Sequence, residues 1–374
     1  SLPCSDSNWA RPPDRPGPRA RRAAASMTAN DSPGFIRRPE RPALFLAPMA
    51  GVTNSVFRRI CKARGADVLT TEFVSAEGIM HRNERTEHYV DFRPEERPLG
   101  VQLFGADPDQ LARGAAAVVD WKQPDFIDLN FGCPVNKVVC KNGGSALLRD
   151  GALLAAIASA VVRAVAPLPV TAKIRTGWDA GSVNASDNAR HLEDAGIRRL
   201  TVHGRTRAQG YSGEADWDVI AGVAAAVQIP VVGNGDITSA DVAQRRWNRA
   251  PVSGLMVGRA AMTSPWIFQE IQAAFRGEDA PPAPTLADRW DLIEDHCRQE
   301  LVRWRKTEKG MHAMRSRLMA YSRGLHASRE LRRRFGAVES LDELAEIRSW
   351  HENAVHGDQD SNAPLEVPPH LAHL

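Results

Sequence analysis

Eight short apolar runs fill the middle of this 374-residue chain, and most of them are followed by a longer segment with helical spacing. The runs are rich in β-branched residues, whereas the intervening segments carry Ala, Leu and Val at helical spacing. Parallel strands need a long crossover connection, usually a helix, so this alternation predicts a parallel sheet. The predicted strands span residues 43–50, 67–74, 99–105, 126–132, 170–177, 199–204, 230–235 and 254–259.

Eight strands with a helix after nearly every one, in about 235 residues, match the strand count and length of a (β/α)8 TIM barrel. A doubly wound open sheet is the alternative. It would need a glycine fingerprint after the first strand, and residues 47–52 (APMAGV) lack G-x-G-x-x-G. We therefore predict an α/β protein with a TIM barrel over residues 43–277, including helices at residues 108–121, 151–166, 217–227 and 240–247, the first of them capped by Asp107.

The two ends of the chain have a different composition. Residues 1–42 are rich in Pro, Arg, Ser and Ala without an apolar period, which predicts a disordered tail. Residues 278–284 predict a proline linker, residues 285–350 a small all-α helical domain, and residues 351–374 a second disordered tail. Residues 301–335 hold eleven Lys or Arg and only two acids. A solvated helix face is one explanation, but a separate basic module behind a linker favours a polyanion partner.

Composition excludes several classes of protein. With 43% hydrophobic and 25% charged residues, the chain has ordinary globular usage. No stretch approaches the roughly 20 apolar residues of a membrane span, so we expect no membrane insertion. The five cysteines are odd in number, scattered and never spaced C-x-x-C, which argues against a disulfide framework or a zinc module. We expect a cytoplasmic monomer without a metal ion.

Polar and charged side chains follow nearly every predicted strand. Catalytic groups of TIM barrels lie at these carboxyl ends, and polar groups are costly in an apolar barrel unless they are paired or functional. The last two strands end in glycines near Arg259, where barrels commonly bind phosphate. The strand-end residues are Pro48, Met49, Ala50, Gln102, Asn130, Cys133, Lys173, Arg175, His203, Arg205, Asn234, Gly235, Asp236, Gly258 and Arg259.

Together these residues suggest a flat phosphorylated cofactor across the barrel mouth. The Gln102 amide offers a donor and an acceptor for a ring edge that carries C=O and N–H groups side by side. Lys173 would place a cation beside a ring position that becomes anionic. The alternative for Lys173 is an ion pair with a barrel carboxylate.

Several longer motifs then carry a family resemblance. The chain resembles the tRNA-dihydrouridine synthase family, nearest to its bacterial B-type branch. The matching motifs occur in order from about residue 43 to residue 270 at ordinary spacings. They are LFLAPMAGVTNSVFRRICKARGAD, TEFVSAEG, VQLFG, IDLNFGCPVNKVV, GGSALLRD, AKIRTGWD, VHGRTRAQGYSGEADW, VVGNGDI and MVGRAAMTSPWIF. The helical extension is similar to the tRNA-binding C-terminal domain of the family in position and length.

The resemblance implies that FMN lies over the barrel mouth, that NADPH or NADH is the reductant, and that tRNA is the partner. It implies FMN contacts from Pro48, Met49, Ala50, Gln102, Lys173, His203, Asn234, Gly235, Asp236, Gly258 and Arg259. In the implied reaction, the C5=C6 bond of a tRNA uridine is reduced to 5,6-dihydrouridine. The family's proton donor corresponds to Cys133, and a thiol with a pKa of about 8.5 stays protonated near neutral pH.

Contacts with the RNA substrate are also expected near the mouth. Asn130 and Arg175 are candidates for the uracil edge, and Arg205, Arg207 and Gln209 are expected to face the RNA. Two other functions stay open: an FMN reductase of free pyrimidines or enones, and a tRNA-binding folding factor. An inert buried cysteine remains the alternative for Cys133, as a core histidine does for His203.

Overall fold

The computed structural model describes residues 34–357 except residues 38, 141, 305 and 306. The predicted tails over residues 1–33 and 358–374 lie outside the described residues. Within the described part, one parallel sheet and a set of helices account for most of the chain. None of these helices has both the length and the apolar character that a bilayer crossing needs.

The strands form a parallel barrel, in the order β1-β9-β8-β7-β6-β5-β4-β2. Val68, just before β2, closes the sheet onto β1: its N–H donates to Leu44 O (3.1 Å) and its C=O accepts from Leu46 N–H (3.3 Å). The predicted second strand is in fact two short strands, and both pair with β4. The strands are β1 (Ala43–Leu46), β2 (Leu69–Thr70), β3 (Val74–Ser75), β4 (Leu99–Phe104), β5 (Phe126–Phe131), β6 (Val170–Arg175), β7 (Arg199–His203), β8 (Val231–Asn234) and β9 (Gly254–Val257).

Helices surround this barrel and begin where the sequence supplies caps. The Asp107 carboxylate accepts from Gln110 N–H (2.6 Å), and that of Asp150 accepts from Leu153 N–H (2.9 Å). The four predicted barrel helices are confirmed to within two residues. The helices are α1 (Ser55–Lys62), α2 (Ala76–His81), α3 (Glu84–Val90), α4 (Pro108–Lys122), α5 (Asn136–Val139), α6 (Gly151–Val165), α7 (Ala185–Asp194), α8 (Trp217–Ala226), α9 (Ala240–Arg249), α10 (Arg259–Thr263) and α11 (Ile267–Arg276).

An aromatic cluster fills the amino-terminal end of the barrel. Phe45 and Phe126 are buried inside it, and Phe35 lies edge-on to Phe126 with ring centroids 6.1 Å apart. The guanidinium carbon of buried Arg199 lies 4.6–4.8 Å from all three ring centroids, a favourable cation–π arrangement. The prediction that residues 1–42 are all disordered is therefore wrong for the stretch around Phe35.

A helical region follows the barrel and shares a core with it. Val56 and Ile60 on α1 are buried in the same apolar cluster as Trp290, Met314 and Leu318. A shared core of this kind stabilises the contact through the apolar area that it removes from water. The helical region consists of α12 (Leu286–Trp304), α13 (Thr307–Tyr321), α14 (Ser328–Ala337) and α15 (Leu341–Gly357).

This packing corrects two expectations about the helical region. The linker over residues 278–284 does not detach the region from the barrel, because Arg59 on α1 donates to Gln299 Oε1 on α12 (2.7 Å) beside the shared core. The last helix also continues to Gly357, beyond the boundary predicted at residue 350.

Candidate active site

A cavity of about 680 Å³ lies at the carboxyl ends of the barrel strands. This volume is typical of cofactor and small-molecule sites. The linker and the helical region contribute to one side of its wall. Of the residues predicted from the sequence, the wall includes Pro48, Met49, Ala50, Asn130, Cys133, Lys173, Arg175, His203, Asn234, Gly235, Asp236, Gly258 and Arg259. The fold therefore brings most of the predicted site together.

Cys133 lies in the turn that follows β5. Its backbone N–H donates to Asn130 Oδ1 (2.9 Å), and its carbonyl accepts from the Ser145 hydroxyl (2.9 Å), so the turn is fixed from both sides. The residue is only 8% exposed. Burial raises the pKa of the Cys133 thiol above its ordinary value, although nearby Arg175 and Lys173 oppose the shift. The group at the cavity wall is therefore a protonated thiol at neutral pH.

Lys173 and His203 face the cavity from the neighbouring strands β6 and β7. Burial, reinforced by Arg175, lowers the pKa of Lys173 to about 8. Burial also lowers the pKa of His203 well below its ordinary value, and the cations Lys173, Arg175, Arg205 and Arg259 act in the same direction. His203 is therefore neutral, and the charged groups next to it on β6 and the following turns include the cations Lys173, Arg175 and Arg259.

Arg205 is the centre of a buried ion-pair network rather than a surface residue. Its guanidinium donates to both Asp236 oxygens (2.9 and 2.8 Å) and to the carbonyls of Ser212 and Gly213. Asp236 Oδ1 also accepts from Arg259 Nη2 (3.0 Å). Because Arg205 is 1% exposed, the expectation that it faces RNA is wrong. The Asp236 carboxylate serves to hold Arg259 at the cavity.

The turns after β8 and β9 bring the backbone close to the cavity. Gly235 has a φ of +136°, and a Cβ there would lie 2.4 Å from Ala215 Cβ, so this position requires glycine. Asn234 Nδ2 donates to Met256 O (2.8 Å) and ties the first turn to β9. Gly258 is the N-cap residue of the short helix α10. Barrels commonly bind phosphate at this place, between the last two strands and a short extra helix.

Arg175 also uses most of its donors within the protein. Nε donates to Gly132 O (3.0 Å), and Nη1 donates to the carbonyls of Thr206 and Gly210 (both 2.9 Å). The side chain lines the cavity but is only 3% exposed as a residue. Its main structural role is to join the Cys133 turn to the loop after β7, so contact with a uracil edge stays a prediction.

Arg207 and Gln209 lie on the same loop, outside the cavity wall. The guanidinium of Arg207 stacks over Trp178, 4.5 Å from the ring centroid. Gln209 is exposed, and its Oε1 accepts from Thr206 N–H (2.7 Å). Their contacts with RNA stay predictions.

Gln102 lies one layer beneath the cavity wall. It is fully buried; its Nε2 donates to Asp128 Oδ2 (2.6 Å), and its Oε1 accepts from Asn130 Nδ2 (2.8 Å). A direct contact with a cofactor edge therefore stays a prediction. In the structure, Gln102 acts on the wall through Asn130.

Comparison with known proteins fits this arrangement. The family model described as dihydrouridine synthase matches residues 45–355. The chain belongs to the dihydrouridine synthase family. It is 41% identical over 82% of its length to a Pseudomonas aeruginosa protein named tRNA-dihydrouridine synthase B, and the match covers 92% of that relative. A Pseudomonas putida protein of the same name is 40% identical over 82% of this chain and 90% of its own length.

The family assignment confirms the family resemblance, the enzyme class and the barrel with a helical extension that the sequence predicted. The match runs through the helical region to residue 355. The alternative of a reductase of free pyrimidines or enones, which needs no such helical extension, therefore fits this family member less well.

One loop at the cavity wall is held by contacts that the sequence analysis did not predict. Gly51 N–H donates to the buried Glu72 carboxylate (2.6 Å), and the Val52 carbonyl accepts from Arg317 of α13 (3.1 Å). Asn54 Nδ2 donates to the buried Glu300 of α12. We call residues 49–54 the pocket loop. Glu72 and Asn54 had a signal in the sequence, because they lie within the family motifs TEFVSAEG and LFLAPMAGVTNSVFRRICKARGAD.

Tyr211 is a second residue that the sequence predictions omitted. Its ring is 58% exposed at the cavity mouth, with the guanidinium of Arg259 5.0 Å and that of Arg175 5.9 Å from the ring centroid. An exposed aromatic face beside cations is suited to stacking against a flat ring. The motif that contains HGRTR also contains this tyrosine, so the resemblance could have singled it out.

Proposed function

We propose that this chain is a tRNA-dihydrouridine synthase that uses FMN and NADPH or NADH to reduce uridine to 5,6-dihydrouridine in tRNA. Two relatives of that name, matched over most of the chain, support the substrate class. The observation that carries the proposal is the meeting of the Cys133 thiol, the Lys173 ammonium and Arg259 at the wall of one cavity.

The charges of the cavity wall suit FMN. The Lys173 ammonium makes no hydrogen bond or ion pair with the described residues, although the residue is partly buried, so an anionic group in the cavity would supply the missing partner. Arg259, held by Asp236, lies at the turns after β8 and β9 and would bind the phosphate. The pocket loop, through Met49 and Ala50, would contact the ring.

The chain's own residues then prepare the reduction. FMN, when bound, supplies the hydride that adds to uracil C6. The Cys133 thiol holds the proton that C5 must receive, and burial keeps that proton on sulfur at neutral pH. Lys173 stabilises negative charge at the cofactor. Arg175 keeps the Cys133 turn and the loop after β7 together, so that the acid has a fixed position.

The helical region supports RNA as the substrate. Arg289 and Arg323 line the cavity from that side, so cations continue from the site onto the helices. Arg329 and Arg332 are exposed and line a groove along α13 and α14. Phosphate groups of an RNA reaching into the cavity would follow this surface.

Activity on RNA tests the proposed function. Purified protein with FMN and NADPH should convert uridines of an unmodified tRNA transcript into a nucleoside two mass units heavier, measured by mass spectrometry after digestion. Free uridine is the matched substrate control and should react far more slowly. Equal rates on free uridine would support a small-molecule reductase instead.

FMN binding should depend on pH through Lys173. Its lowered pKa of about 8 means that the ammonium is present below pH 8 and is lost above it. If FMN binds the charged form, Kd should rise by only about twofold between pH 7 and 8 and approach a tenfold rise per pH unit well above pH 8. Fluorescence titration measures this dependence. Lys173→Met should bind more weakly and lack the rise; the same rise in that variant would contradict the assignment.

Removing two exposed cations should weaken tRNA binding in a salt-dependent way. We expect Arg329→Ala/Arg332→Ala to lower affinity and to reduce the slope of log K against log salt by about 1 for each phosphate that the variant no longer neutralises. Filter binding at several salt concentrations measures the slope. Arg163→Ala/Arg190→Ala, which removes two exposed cations from α6 and α7, is the matched control. An equal decrease in both double variants would argue against a specific RNA surface on α14.

A further inference from the structure

Three side chains on β4 and β5 form a chain of hydrogen bonds beneath the cavity. Asp128 Oδ2 accepts from Gln102 Nε2 (2.6 Å), and Gln102 Oε1 accepts from Asn130 Nδ2 (2.8 Å). Asn130 Oδ1 then accepts from the backbone N–H groups of Gly132 (3.1 Å) and Cys133 (2.9 Å). The chain of bonds therefore runs from a buried carboxylate to the turn that carries the thiol.

The direction of every bond follows from the carboxylate. An ionised carboxylate only accepts, whereas an amide has a donating and an accepting end. The Gln102 amino group must therefore point to Asp128, which leaves its carbonyl for Asn130. That carbonyl in turn draws the Asn130 amino group and leaves the Asn130 carbonyl for the turn. Without an acceptor at position 128, the buried Gln102 amino group loses its partner, so the Gln102 carbonyl is no longer held toward the Asn130 amino group.

The surroundings keep both oxygens of Asp128 in the accepting role. Thr171 Oγ1 donates to Asp128 Oδ1 (2.5 Å), while Oδ2 receives Gln102. Burial raises the pKa of Asp128, but the bonds from Thr171 and Gln102 and the charges of Arg199 and Lys173 oppose that shift. Asp128 is not part of the cavity wall and does not bond to Cys133.

We propose that Asp128 is a positioning residue, whose carboxylate orients Gln102 and Asn130 and through them fixes the turn that holds the Cys133 thiol. The catalytic part of this inference rests on the proposed function, because it takes Cys133 as the proton donor. A displacement of about 1 Å at a reacting group can cost about 100-fold in rate. Asp128 would thus affect proton transfer without touching substrate.

Alkylation of Cys133 in the full chain tests the positioning without RNA or turnover. The background carries Cys4→Ser and Cys140→Ser, and Cys61 and Cys297 are fully buried. Asp128→Leu removes the acceptor, so we expect the turn to loosen and iodoacetamide to react at least about fivefold faster. Gln102→Leu interrupts the same chain one link later and should have the same effect. It serves as the readout if the first variant does not fold, as checked by circular dichroism.

A swap of the two polar groups is the decisive rescue. In Asp128→Asn/Gln102→Glu, the introduced carboxylate at position 102 accepts from both neighbours, so Asn130 keeps its native orientation. Alkylation should return to within twofold of the background rate. Thr201→Val is the matched control, a buried change on β7 that involves none of the bonds described above, and should leave the rate within twofold. An unchanged rate in Asp128→Leu, or no rescue by the swap, would overturn the inference.

Turnover separates this inference from the proposed function. If the enzyme reduces tRNA, Asp128→Leu should lower kcat about 10- to 100-fold while KM for tRNA changes less than about threefold. A protein that alkylates as predicted but never reduces RNA would contradict the proposed function alone. A protein that reduces RNA but shows native alkylation in Asp128→Leu would contradict the positioning role alone.

Discussion

Replacing Cys133 by alanine should lower the rate of uridine reduction in tRNA by about 10²- to 10⁴-fold, the usual contribution of a general acid. The thiol is buried at the cavity wall, and its raised pKa keeps the proton that carbon C5 requires. FMN occupancy and tRNA affinity should stay within about twofold, because the proposed phosphate and RNA contacts lie elsewhere. Dihydrouridine formation in single turnover, with pre-reduced enzyme, is the measurement.

Cys140→Ala is the matched control for this prediction. Cys140 is exposed and lies seven positions further along the same loop. We expect its replacement to leave the rate within about twofold. Retention of full activity by Cys133→Ala would mean that another group, or water, protonates C5.

Replacing Arg205 by methionine should destabilise the protein by about 2–3 kcal/mol, since the Asp236 carboxylate keeps only Arg259 and the Ala215 N–H as donors and two carbonyls lose the Arg205 donor. Arg205 is 1% exposed and bonds to Asp236, Ser212 and Gly213. FMN affinity should also fall at least about tenfold, because Asp236 would then draw Arg259 away from the phosphate position. Urea unfolding and flavin titration measure the two effects.

Arg207→Met on the same loop provides the contrast. Arg207 is only partly buried and stacks on Trp178, so its loss should cost less than about 1 kcal/mol in the free energy of unfolding. Its effect should appear in tRNA affinity instead. A native stability for Arg205→Met, with weaker tRNA binding, would restore the original expectation that Arg205 faces RNA.

The barrel could be predicted from the sequence because its signal is local. Each strand is a short apolar run followed by a polar end, and the helices carry their own caps, as at Asp107. Since all parallel strands end at one face, the strand-end residues had to meet there. The meeting of Cys133, Lys173 and Arg259 at one cavity follows from that geometry alone.

The partners of those residues could not be predicted in the same way. Sequence places Arg205 at a strand end, but only the fold shows that Asp236 and the carbonyls of the following loop use its donors. Gln102 was expected to meet a cofactor edge, yet its amide is occupied by Asp128 and Asn130. Which polar side chains form hydrogen bonds depends on how side chains of neighbouring strands are oriented. These strands are distant in sequence, so a local sequence pattern does not predict their contacts.

The ends of the barrel were also beyond local reasoning. Phe35 follows a region of disordered composition, but it packs against Phe126 and the buried guanidinium of Arg199. The helical region appeared separable because a proline linker precedes it. Its apolar face is in fact completed by Val56 and Ile60 of α1. Composition describes a segment by itself and does not report the surface that it meets.

The pocket loop has a consequence for how such enzymes can be recombined. Its backbone donates a hydrogen bond to Glu72 of the barrel and accepts one from Arg317 of α13. Its last residue, Asn54, donates a hydrogen bond to Glu300 of α12. A chimaera that joins the helical region of another protein to this barrel would therefore lose two contacts that hold the pocket loop, even with every motif of the barrel intact. An exchange of the helical region that aims to change the RNA substrate must therefore preserve all three contacts with the pocket loop.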